Sequence, residues 1–223
     1  GGSGHGGFAF GLAQFSRLKE DVLRTNQAVF GHRLAMDYIV PGGTSIDVPP
    51  DAAIALRDEC ARIEREIVAL RDIYDEHSGL QDRVRNCGIV TPALAAKLGL
   101  RGLAGRASGC LRDLRRDLPV APYDELAVRI ASRTDGDVAA RIAVRFDEAL
   151  ESLRLIRAIG DASPKGEVRT ELPVPPAFRL GLGYVEGWRG PVFVALESGP
   201  DGSIRRCHPH DPSWSAWPVL EHA

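Results

Sequence analysis

No two cysteines of this 223-residue chain stand in C-x-x-C spacing. Cys60, Cys87, Cys110 and Cys207 are scattered singly, without the paired ligands of a structural zinc site, and read as reduced thiols of a cytoplasmic protein. Charge of one sign is also lacking: 28 Lys and Arg against 30 Asp and Glu leave a formal net charge of −2. A nucleic-acid partner would call for a basic excess or stripe, so none is expected. Apolar runs are short. One of the longest, Pro191 to Leu196, falls far below the roughly 20 residues that span a bilayer. There is no Gly-x-Ser-x-Gly elbow, Walker loop or Rossmann fingerprint, which sets aside the hydrolase, phosphate-loop and dinucleotide classes those motifs mark.

What is present is mostly helical periodicity. Residues 1–7 are glycine-rich and read as an appended linker. From Phe8 to Phe30, Phe8, Leu12, Phe15, Leu18, Val22 and Val29 recur at spacings of three, four or seven, and Gly31 is the expected stop. The short apolar stretch Leu34 to Val40 ends in the turn Pro41-Gly42-Gly43. Pro49-Pro50-Asp51 opens a long helix whose stripe is Leu56, Cys60, Ile63, Ile67, Leu70 and Tyr74, with Gly79 as its expected end. Thr91-Pro92 is a cap-then-proline helix start closed by Gly99, and residues 100–122 read as loop. A third long helix follows Asp135-Gly136-Asp137, with Ile142, Phe146, Ala149, Leu153 and Ile156 as its stripe and Gly160 as its stop.

Beyond Pro164 the texture changes. Tyr184–Trp188, Val192–Glu197 and Ile204–His208 read as strands, the last two joined by Gly199-Pro200-Asp201-Gly202, and a helix starts near Trp214. The expectation is an α+β chain, mainly α: a long-helix bundle over 8–163 and a small antiparallel β-rich appendage over 164–223 ending in the start of a helix.

Four segments in order carry a family resemblance. They are Gly31-His32-Arg33-Leu34 with Val40-Pro41-Gly42-Gly43; Asn86-Cys87-Gly88-Ile89-Val90-Thr91-Pro92; Gly105-Arg106-Ala107-Ser108-Gly109 with Asp113, Arg115-Arg116-Asp117 and Tyr123-Asp124; and Val185-Glu186-Gly187-Trp188-Arg189-Gly190 with Asp211-Pro212-Ser213-Trp214. Their order and spacing resemble the large subunit of the energy-converting, formate-hydrogenlyase-type nickel–iron hydrogenases and the related catalytic-core subunit of NADH-quinone oxidoreductase (complex I). The resemblance implies an oxidoreductase subunit. Its active-site chamber would lie against an iron–sulfur small subunit, in a cytoplasmic complex peripheral to the inner membrane with antiporter-like membrane subunits. It also implies that this chain is an internal piece of a longer subunit, inactive alone and prone to self-association.

In true hydrogenases of the family two C-x-x-C pairs hold nickel and iron, because soft thiolates suit those metals. Neither pair is in this chain, so no metal ligand is assigned and no cofactor is expected within it; the parent would use a nickel–iron centre or a quinone. The resemblance places Arg189 and Arg106 on the chamber wall, with Ser108, Gly109 and Glu186 on the loops that line it. Gly187-Trp188 stand where the family has Ala-Pro. Plainer roles are open for each: Arg189 pairing with Glu186 or another acid, a turn at Arg106–Gly109, a solvated charge run at Asp113–Asp117. His208 and His210 share one strand face with Cys207 on the other. Glu64, Glu66, Asp147 and Glu148 read as solvated carboxylates on polar helix faces.

Overall fold

A computed structural model describes residues 8–162 and 166–223. The glycine-rich opening read as a linker, and the expected junction between 163 and 164, lie outside the described residues. The chain is α+β and mainly α, as its periodicities indicate. It divides into two compact units. One is the chain up to Arg83 together with Ser152–Leu172; the other is Val84–Glu151 together with Pro173–Ala223.

In the first unit α1 (Ala9–Phe30) packs on α2 (Pro50–Glu76). Gly31 ends α1 in the left-handed conformation, with φ of 74°, as a terminal glycine permits. Cys60, Ile63, Ile67, Leu70 and Tyr74 are buried along α2, four and three residues apart. They meet a thinner stripe on α1, where Leu18 and Val29 are buried but Leu12 and Val22 are exposed. Pro41-Gly42 turns a small hairpin, β1 (Ile39–Val40) against β2 (Gly43–Thr44). The expected end of α2 at Gly79 is corrected. The helix stops at His77, whose Nδ1 accepts from Leu80 N at 3.1 Å. Gly79 falls inside α3 (Ser78–Val84), begun by that side-chain bond.

The second unit holds the candidate site. Thr91 caps α4 (Pro92–Lys97), its Oγ1 accepting from Leu94 N at 3.2 Å. The stretch read as loop contains two short helices, α5 (Gly102–Ala107) and α6 (Leu114–Asp117). Both are too short to show a period, and tertiary bonds hold them. Asp137 caps α7 (Val138–Asp161): Oδ1 accepts from Ala140 N at 2.7 Å and Oδ2 from Asn86 N at 2.8 Å. α7 runs one residue past Gly160, where nothing crowds the backbone. Leu103, Ala107, Ala140 and Val144 form one buried cluster; Val90, Ala95, Leu100 and Val219 form another.

The sheet has the order β3-β4-β5, antiparallel throughout: β3 (Leu180–Gly187), β4 (Gly190–Ser198) and β5 (Ile204–His210). Tyr184 pairs with Phe193, and Phe193 with His210. This register puts His208 and His210 on one face and Cys207 on the other. α8 (Ser213–Leu220) follows the sheet.

Candidate functional site

The site is built around one buried cation. Arg106, in the last turn of α5, is 2% exposed. Its guanidinium meets three carboxylates from three other elements: Asp113 at the start of α6 (3.5 Å), Glu186 on β3 (3.0 Å) and Glu148 on α7, which is in direct contact with Nε. Arg115 adds a second cation, gripping Asp113 through Nε at 3.0 Å and Nη2 at 2.7 Å. The bidentate fork suits a carboxylate.

Burial opposes the charge on Arg106, but Glu148, Glu186 and Asp113 overturn this and raise its pKa. Burial likewise works against ionised Asp113, and Arg115 and Arg106 outweigh it, holding that carboxyl below its ordinary range. Glu148 goes the other way: burial raises its pKa although Arg106 pulls it down. The cluster therefore holds one carboxyl favoured as the anion beside one for which protonation is made easier.

Glu186 is the bracket between sheet and helices. One carboxylate oxygen takes the bond from Arg106 and the other accepts from Leu114 N at 3.0 Å. Of the plainer reading, Arg189 paired with Glu186 or another acid, the Glu186 half is corrected: among the described residues the ion-pair partner of Glu186 is Arg106. Beyond Glu186 the chain reaches the Trp188-Arg189 turn, fixed by backbone contacts. Leu103 N donates to Trp188 O at 3.2 Å. A Cβ on Gly102 would stand 2.1 Å from the Arg189 carbonyl carbon, and Gly102 has φ of +60°, so glycine is required there on both counts. Arg189 itself is exposed.

Ser108 is buried and donates to Ala104 O at 3.1 Å. Gly109 has φ of +87° and donates its N–H to Arg133 O at 2.7 Å. Its nearest would-be Cβ contact is an ordinary 3.6 Å to Pro92, so its conformation rather than a close approach calls for glycine. The Arg106 carbonyl is also in use, accepting from Arg133 N at 2.9 Å and Ser132 Oγ at 3.1 Å. The site residues thus fall in two groups, with Arg106, Ser108 and Glu186 packed inside, and Arg189 and Gly109 at the surface.

Glu148 is the residue sequence reasoning missed, being no solvated carboxylate. It lies four residues after Val144 and seven before Leu155, both buried, and that spacing places it on the helix's inner face. Asp147 does sit on the outer part, paired with Arg133 at 2.7 Å. The run at Asp113–Asp117 divides too: Asp113 is buried, whereas the side chains of Arg112 and Arg116 are largely exposed. Among the described residues no three His, Cys, Asp or Glu side chains are grouped to hold a metal ion. Cys60 is buried, and Cys87, Cys110 and Cys207 stand apart as free thiols, a donor set that does not fit a thiolate-bound nickel–iron centre.

The family described as "Respiratory-chain NADH dehydrogenase, 49 Kd subunit" matches residues 6–177. The chain is 30% identical to an NADH-quinone oxidoreductase subunit of Clostridium beijerinckii over 90% of its length and 55% of that protein's. It is 30% identical to the carbon monoxide-induced hydrogenase of Rhodospirillum rubrum, over 91% and 56%, and 27% identical to formate hydrogenlyase subunit 5 of Escherichia coli, over 97% and 38%. It thus spans 38% to 56% of the length of these relatives. A chain of the membrane-bound sulfane sulfur reductase, an archaeal respiratory membrane complex, superposes with a TM-score of 0.86 at 25% identity, over 97% of this chain and 62% of that one. No described helix is long and apolar enough to cross a membrane. The chain belongs to the family of the respiratory-chain NADH dehydrogenase 49 Kd subunit.

Proposed function

We propose that this chain serves as scaffold and part of the active-site wall in the large subunit of an electron-transferring membrane complex, with the Trp188-Arg189 turn as the wall element. The observation that supports this most is the Arg106–Glu186 pair at 3.0 Å. It ties the Arg-Ala-Ser-Gly segment directly to the Glu-Gly-Trp-Arg-Gly segment. Arg106 is a positioning residue here: buried and fully engaged, it fixes the strand that carries Arg189. Ser108 and Gly109 shape the α5 end of the same wall. Arg189 is the group left exposed to a ligand, supplying a permanent charge and planar donors.

The partners in this reading are an iron–sulfur subunit and membrane-embedded subunits, with the chain peripheral to the membrane and not active alone. Metal chemistry, where the complex has it, would be supplied by ligands other than the residues described. The test is Arg189→Ala in the assembled complex. Turnover should fall roughly tenfold or more while assembly, read on native gels, is unchanged. Undiminished turnover would remove Arg189 from the wall. It would favour a second reading, of a metal-free docking platform between the iron–sulfur and membrane partners.

A further inference from the structure

Trp188 stands where the family resemblance has proline, and it is 52% exposed. Two arginines lie on its indole. The guanidinium carbon of Arg145, from α7, is 4.8 Å from the ring centroid, and that of Arg189 is 5.5 Å from it. Both distances are cation–π contacts. A cation–π contact engages the charge of a guanidinium but uses none of its five N–H donors as a hydrogen bond to an acceptor atom. Among the described residues neither arginine has a hydrogen-bond acceptor or a carboxylate within ion-pair range. The nearby acids are otherwise engaged. Glu148 contacts Arg106, and Asp211, which feels Arg189 only at a distance, accepts from Ser213 N at 2.8 Å. A third arginine at the turn, Arg101, points its Nη1 at Cys110 Sγ, 3.4 Å away.

The Arg145 charge is under-compensated. Though the residue is exposed, crowding around it presses its pKa below the ordinary value, with Glu148 alone opposing. The turn is also rigid, held by the Trp188 carbonyl bond to Leu103 and by Gly102 and Gly190, which pack against Arg189, Arg101 and Pro212. The entropy of ordering two long side chains is thus partly met before any ligand arrives.

We propose that Arg145, Trp188 and Arg189 form a preorganised receptor for an oxyanion, a carboxylate or phosphate, bound through the N–H donors of the two guanidinium groups that lie over the indole. This deepens the reading of the turn as chamber wall and rests on it for its biological use, since it assigns that wall an anionic ligand.

The chain carrying Trp214→Phe and Trp217→Phe keeps Trp188 as its one tryptophan, so its fluorescence reports the site. Titration with sodium phosphate should give a saturable change that sodium chloride at equal ionic strength does not. Arg145→Gln and Arg189→Gln should each raise the midpoint roughly tenfold, the worth of one charge-assisted interaction. Vesicles of phosphatidylglycerol in phosphatidylcholine, against phosphatidylcholine alone, form a second arm. Saturation by phosphate points to a free oxyanion, and saturation by anionic vesicles alone points to a lipid headgroup. A response that chloride reproduces in the first arm, with no preference for anionic vesicles in the second, overturns the receptor. So does a midpoint unmoved in both arginine variants. The two readings fail separately: lost turnover in the Arg189→Ala complex without anion binding leaves the wall and removes the receptor, and anion binding with intact turnover does the reverse.

Discussion

The first unit and the second each hold an arginine ringed by three carboxylates, and the two rings differ in their access to water. In the first, Arg62 on α2 reaches Glu59 at 2.6 Å and Asp21 on α1 at 2.8 Å and also contacts Glu66, which Arg17 shares. These side chains are between 20% and 46% exposed. In the second, the side chains of Arg106, Asp113 and Glu186 are all below 5%, and Glu148 is at 18%. Water screens the first ring, so each pair there contributes at most about 1 kcal/mol. The second is desolvated, and removing one member strands the others without hydration. The same residue types make a superficial lattice in one place and a structural keystone in the other.

The largest effect should come from Arg106→Met, which leaves buried Asp113 and the largely covered Glu186 and Glu148 without that cation. A loss of about 3–5 kcal/mol is expected, read by urea unfolding, and a loss under about 1 kcal/mol would dissolve the contrast between the rings. Gly102→Ala comes next. It forces a left-handed conformation on a residue with a Cβ and drives that Cβ into the Arg189 carbonyl. The expected loss is at least about 1–3 kcal/mol, with the emission of Trp188 altered as the turn shifts.

A smaller effect separates the carboxyls around Arg106 by pH. Glu148 has a raised folded pKa, so its contribution is fully present below the unfolded carboxyl range and is lost as pH rises through the folded value. Asp113, with a lowered pKa, contributes above its unfolded value and loses this as pH falls through the folded one. Glu148→Gln should therefore gain stability relative to the parent as pH rises from acid towards neutral, measured by thermal melts across that range. An unchanged difference would mean that Glu148 does not titrate with folding. Least of all, Arg62→Ala should cost under about 1 kcal/mol, and the difference should shrink further in 0.5 M salt, where the screening length is roughly 4 Å.

Most of the helical architecture is legible in the sequence because a long helix repeats its own evidence. α2 shows its buried stripe over successive turns, and Thr91-Pro92 and Asp137 mark helix starts with side chains that do the capping. The failures have one physical source, in partners distant along the chain. α5 and α6 are too short to carry a period and are held by Trp188 O and Glu186. Glu148 reads as solvated because the cation opposite it is 42 residues away in sequence. The Arg106–Glu186 pair, whose members are 80 residues apart, shows in the sequence only as two ends of a resemblance. Likewise the close approach at Gly102 is invisible along the chain, because only folding brings Arg189 beside it.

Arg106 uses its backbone and its side chain at once. Its carbonyl takes the Arg133 amide, Arg133 in turn takes the Gly109 amide, the neighbouring Ala107 takes that of Gly136, and Glu186 takes that of Leu114. These four amides, from two separate stretches of the chain, are latched to one hub. In hydrogen–deuterium exchange they should open as a single event, with matched rates approaching those of global unfolding, and loss of the Arg106 guanidinium should speed all four together.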